Sequence, residues 1–190
     1  MELFFAILIG IGLSISAGFR VFTPLLIAGI AAKIGWLPLS TGFEWLSSTP
    51  ALIAFTIAFV LEVASNYIPV VDNVLKAIST PLALIAGTLL SVSVIGIEDS
   101  PFLAWGMAFV TGGGAATVSQ LTSATVRGTS TVTTAGLANP VISFVEDIVS
   151  VVVSIISIVF PIFVLVFIVI IVFLFVKLMS KIKRRRSTYS

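Results

Sequence analysis

The chain has 190 residues, 58% of them hydrophobic and 9% charged, with a net charge of +2 and a mean hydropathy of +1.24. Soluble domains carry roughly a quarter charged residues, so this composition excludes an ordinary soluble class and predicts an all-α polytopic bundle of membrane helices. There is no Cys and no His, which excludes disulfides, thiol redox chemistry and the commonest transition-metal ligands, so neither metal nor other cofactor is expected.

The apolar residues fall in long runs broken by Pro, Gly and Ser clusters, and nothing reads as a linker between domains. A single transmembrane domain is expected over residues 1–178, followed by a basic tail over 179–190. Glu2 has the wrong sign for the n-region of a secretory signal, so the first apolar run is expected to belong to the mature protein.

That first run covers residues 3–34 and is interrupted by the cluster Ser14-Ile15-Ser16-Ala17-Gly18-Phe19-Arg20. A straight helix of that length would measure ~48 Å against a ~30 Å hydrocarbon core, so it must tilt, break or fold back as a re-entrant pair. Gly18, Arg20 and Pro24 mark the expected break. Residues 35–50, with Trp36, Phe43 and Trp45, read as an interfacial loop.

The second run, residues 51–68, contains Glu62 and ends at Pro69. Residues 69–79 carry Val71, Val74, Leu75 and Ile78 at helical spacing opposite Asp72, Asn73 and Lys76, which predicts a short interfacial helix. The third run, residues 81–97, closes on Glu98-Asp99-Ser100-Pro101.

The fourth run starts at Phe102, passes through Gly112-Gly113-Gly114 and enters a Ser- and Thr-rich stretch, residues 117–134, centred on Arg127. Those hydroxyls predict either a broken helix lining a polar cavity, since irregular backbone at membrane depth is tolerated only where it is buried or wet, or a loop outside the membrane. The triple glycine lacks the Gly-Lys-Ser/Thr of a phosphate loop and reads as close helix packing. A helix from Asn139-Pro140 through Glu146-Asp147 follows, and residues 149–176 form an apolar run long enough to span alone. Six of the ten basic residues lie from Lys177 onward, which predicts a cytoplasmic C-terminus in a multi-pass protein of the inner (cytoplasmic) membrane.

The two halves, about 1–98 and 99–178, resemble each other. Ser16 to Arg20 lies on Ser123 to Arg127, and Ala28-Gly29-Ile30-Ala31 on Ala135-Gly136-Leu137-Ala138. Residues 57–62 then lie on 142–147, which matches Glu62 to Asp147. Such repeats accompany two units related by a pseudo-two-fold axis, often inverted in the membrane.

An intramembrane charge costs ~2.5–3.5 kcal/mol even on lenient scales, so Arg20 and Arg127 need partners or a wet cavity. Glu62, Asp147 and Glu146 supply the acids, and Ser16, Ser123 and Thr125 stand beside the arginines. One reading is a substrate site of these eight residues for an anionic small molecule or an anionic lipid head group. The other is a set of ion pairs that only holds the bundle together. No activated Ser, His or Cys is present, so no catalytic residue and no enzyme activity is expected. Membrane lipids are the expected surroundings, nucleic acid is not an expected partner, and the small size suggests a homodimer if the chain transports.

The order Arg20, Glu62, Pro69, Asp72, Arg127, Glu146, Asp147, together with Pro24-Leu25-Leu26 and Ile34-Gly35-Trp36-Leu37-Pro38, resembles a bacterial membrane family catalogued as domain of unknown function 4126. The likeness extends to the basic tail. It departs from the family pattern in having no His or Lys near Gln120 and Ser123, and Asn66-Tyr67 where a charged pair is usual. The resemblance implies an architecture and no activity.

Overall fold

The computed structural model describes residues 2–65, 69–96, 100–135, 137–166, 168–170, 173 and 176–177, with the side chains of 69–77 set aside. The acidic turn at Glu98-Asp99, the Asn66-Tyr67 pair and the basic tail from residue 178 lie outside them, as does the expected amphipathic face of 71–76. The described residues are helical with no strand, in the order α1 (Glu2–Phe19), α2 (Phe22–Lys33), a 3-10 turn (Glu44–Ser47), α3 (Thr49–Ser65), α4 (Pro69–Ile95), α5 (Pro101–Ala108), a π turn (Phe109–Gly113), α6 (Gly114–Thr134) and α7 (Asn139–Val159). Among the described residues, three helices are long and apolar enough to cross a membrane: Ile78–Ile95, Pro101–Thr134 and Asn139–Val159.

The break in the first run falls where expected, between α1 and α2 at Arg20 and Val21. Pro24 cannot donate to the carbonyl of Arg20, and its ring would clash with it in a continuous helix. Neither Arg20 nor Val21 has a side chain suited to cap α2, so its first amides need a partner from elsewhere. The other end of α2 closes locally. Gly35 takes φ +80°, the Trp36 amide reaches Ala31 O at 2.9 Å and the Gly35 amide reaches Ala32 O at 3.1 Å, a Schellman closure.

Three expectations need correction. Residues 69–79 are no separate interfacial helix but the first turns of α4, which runs through Pro81. The Ser/Thr-rich stretch is not broken either. It lies within α6, where Thr117, Thr122, Thr125, Thr129, Thr131 and Thr133 each donate to the carbonyl four residues back, so the hydroxyls serve their own helix. The last apolar run is interrupted at Phe160, where the backbone leaves the helical region (φ −135°) ahead of Pro161. Pro161 cannot donate into the preceding turn, and helix resumes after a 3-10 turn at Pro161–Phe163.

Helix α1 is the centre of the bundle and packs on α4, α6, α7 and α2. The interior is made of small and hydroxyl side chains, with Ser14, Ser16, Ser91, Ser93, Ser119, Ser150, Ser154 and Ser157 fully buried. Phe102 (88% exposed), Val132 and Leu137 stand on the outside. Buried serines under an apolar exterior suit a surrounding of lipid, where helices associate through close packing and hydrogen bonds. Two of the three glycines, Gly112 and Gly113, fit that reading, while Gly114 has open space beside it. Gly112 faces Gly87 so closely that a Cβ on Gly87 would stand 2.7 Å from the Gly112 carbonyl.

The segments matched as a repeat differ locally. Residues Ala28 to Ala31 lie inside α2, whereas Ala135, Leu137 and Ala138 belong to the turn between α6 and α7.

Candidate functional site

At one end of α1 a cleft of about 330 Å³ is walled by Phe19 to Phe22, by Glu62 and Ser65 of α3, by Ser79, Thr80 and Leu82 of α4, and by Gln120, Ser123, Ala124, Arg127, Gly128 and Thr131 of α6, with Asn139 at the rim. It gathers four of the eight candidate residues on one surface: Arg20, Glu62, Ser123 and Arg127.

Two more stand directly behind that wall. Arg20, only 5% exposed, places Nε 2.5 Å from Asp147 Oδ1, and its Nη2 donates to Ser143 O at 3.2 Å. Arg127 forks onto Glu146, with Nε donating to Oε1 at 3.1 Å and Nη2 to Oε2, the bidentate arrangement that suits guanidinium and carboxylate. Ser123, one turn before Arg127 on α6, donates to the same carboxylate.

Successive residues on a helix point about 100° apart. Adjacent acids on α7 therefore serve two different neighbours: Glu146 turns to α6 and Asp147 to α1. Pairing follows this geometry and not the repeat, because Arg20 joins the acid of the other half.

Glu62 makes no ion pair among the described residues. Its Oε1 accepts from the Val21 amide at 2.7 Å and its Oε2 from the Phe22 amide at 3.1 Å. This is the cap that the local sequence cannot supply to α2, and a carboxylate there is further favoured by the helix dipole.

The remaining two candidates stand apart. Ser16 lies deeper, where its hydroxyl meets Ser150 Oγ at 2.8 Å, Ser154 Oγ at 2.7 Å and Ser150 O at 2.7 Å. That knot ties α1 to the buried face of α7, which carries Ser143, Glu146, Ser150, Ser154 and Ser157 at helical spacing. Ser16→Ala is expected to lower stability by only about 1 kcal/mol in detergent melts, because Ser154 already bonds the Ser150 carbonyl. Thr125 is outside the cleft lining and donates to Leu121 O at 2.7 Å.

Residues the sequence reading passed over also line the cleft. Gln120 Nε2 donates to Ser79 Oγ at 2.7 Å, linking α6 to α4. The stripe Gln120, Ser123, Arg127, Thr131 was there to be read, since its three- and four-residue steps mark one helix face.

Formally the site holds two guanidinium groups, Arg20 and Arg127, and three carboxylates, Glu62, Glu146 and Asp147. With each arginine matched to its own acid, the excess negative charge sits at the amide-bound Glu62. Among the described residues no three acidic side chains gather closely enough to hold a metal ion.

No curated protein and no solved structure matches the chain. A family described as Domain of unknown function (DUF4126) matches residues 7–181. Its match spans nearly all of the chain and every residue of the cleft, and the chain belongs to that family.

Proposed function

We propose that the chain is a small inner-membrane transporter or flippase-like protein that takes an anionic solute, or an anionic lipid head group, into the cleft of Arg20 and Arg127. The observation that carries this reading is the presence of two guanidinium-bearing side chains, from α1 and α6, on one 330 Å³ cleft. A guanidinium offers five donors in a plane and matches phosphate or carboxylate oxygens. The basic tail would set the C-terminus on the cytoplasmic side, and a homodimer would supply the bulk that a short chain lacks. No group in the cleft has the arrangement of an activated nucleophile, which favours binding over catalysis.

The pairing of Arg20 with Asp147 and of Arg127 with Glu146 favours a second reading, in which the ions only hold α1 and α6 against α7. Thermal unfolding of the purified chain in detergent separates the two. Under the transport reading, inorganic phosphate or phosphatidylglycerol at a hundred times its Kd stabilises wild type by ~2.7 kcal/mol, or about 5–10 °C. A folded Arg127→Gln variant loses that gain. If neither ligand moves the transition of wild type, the ion pairs are structural and the transport reading fails.

A further inference from the structure

We propose that Glu62 is a built-in competitor for the anion site: an incoming phosphate-type oxyanion takes the Val21 and Phe22 amides, and the displaced carboxylate frees α3 to swing away from the cleft. This rests on the anion-binding reading above and adds how the site is regulated.

Three features lead to it. The amides at the start of α2 point at a carboxylate that comes from 40 residues or more along the chain, not from a local cap. Glu62 sits in the cleft wall with Arg20 beside it. The two amides it occupies, together with the Arg20 guanidinium that Asp147 holds on the same cleft, are donors of the kind that bind phosphate at helix N-termini. What fills the set at rest is an acid of the protein's own.

The third feature is the place of α3. Its main contacts are with α2, α4 and the 3-10 turn, while α1, α4, α6 and α7 form the body of the bundle. Its outer face, Ile53, Ile57, Val60 and Leu61, is exposed. Glu62 and Ser65 are its buried polar residues, both at the cleft end. The carboxylate thus latches a peripheral helix to the amides an anion would need. A ligand that binds more tightly where Glu62 has left shifts α3 toward the open position, since it can move the equilibrium only by its difference in affinity.

The chain has no cysteine, so Ser65→Cys gives a single thiol on α3, at a position only 3% exposed. The full-length protein in detergent would be titrated with inorganic phosphate, and separately with phosphatidylglycerol against phosphatidylcholine, for Ser65→Cys alone and with Glu62→Gln. Binding would be read by calorimetry and α3 by the rate of maleimide labelling. The expected result is at least tenfold tighter oxyanion binding in Glu62→Gln. Oxyanion should speed labelling about tenfold in Ser65→Cys, and the double variant should label fast without ligand. A response to phosphate alone assigns a free anion, and one to phosphatidylglycerol alone assigns a lipid head group.

Equal binding by both proteins with unchanged labelling overturns the latch and leaves the anion site standing. Absence of binding by either protein overturns both. Should Glu62→Gln fail to fold, the labelling response of Ser65→Cys to oxyanion decides: acceleration supports the latch, and a constant or slower rate overturns it.

Discussion

Gly18→Ala should destabilise the protein more than any other single-methyl change near the cleft. A Cβ at this position would fall on Ser119 Oγ and the Ala116 carbonyl, and 2.8 Å from the Gln120 amide. Backbone atoms of α6 cannot turn aside as a side chain can, so α1 and α6 must separate. Overpacking of this kind costs ~1–3 kcal/mol and sometimes more, and here the upper part of that range is expected. Adding Ser119→Gly should recover only part of the loss, because the Ala116 and Gln120 backbones remain. Thermal melts of the three variants check this, and an unshifted Gly18→Ala would mean that the two helices are not in that contact. The damage should reach the cleft, since Gly18 is two residues from Arg20 and two of its neighbours on α6, Ser119 and Gln120, are about one turn from Ser123.

A comparable loss is expected from Arg20→Gln. It leaves Asp147, whose side chain is 22% exposed, without its cation, so the loss should stay below the ~3–5 kcal/mol that follows when one partner of a fully buried pair is removed. Asp147→Asn should do similar harm by stranding Arg20. The double variant should recover most of the single-variant losses, because amide side chains can hydrogen-bond to each other, and what remains reflects the buried Glu62, which loses the nearby Arg20 charge. A double-mutant cycle in detergent measures the coupling. Additive losses in the cycle would show that Arg20 and Asp147 do not depend on each other.

The helical class was legible because charge is scarce and apolar runs are long, and the break near Arg20 was legible because Gly18, Arg20 and Pro24, each unfavourable in an apolar helix, fall within seven residues. The charged residues of the site stood out for the same reason. Their pairing did not, since it depends on which way α7 is turned and on α1 lying against it. Thr125 shows the limit of proximity in sequence: it is two residues from Arg127, and on a helix two residues is the wrong face. The Ser/Thr stretch misled because hydroxyl density suggests irregular backbone, whereas hydroxyls can also return to their own helix and leave it intact. Glu62 was visible as a charge, but its task of capping a helix about forty positions earlier required the fold.

The π turn at Phe109–Gly113 joins α5 to α6 within one 34-residue helix. Such a turn is equivalent to one extra residue, which advances everything after it by about 100° around the axis. The stretch before it, with Phe102, Trp105 and Phe109 exposed, and the stretch after it, with Gln120, Ser123 and Arg127 on the cleft, are therefore phased independently. Drawn as one regular spiral, the same letters would turn the cleft face of α6 by about a quarter-turn. A helical wheel laid over the whole segment would smear two coherent patterns into none. In the history of such a helix, a single codon gained or lost would reset which surroundings half of it meets.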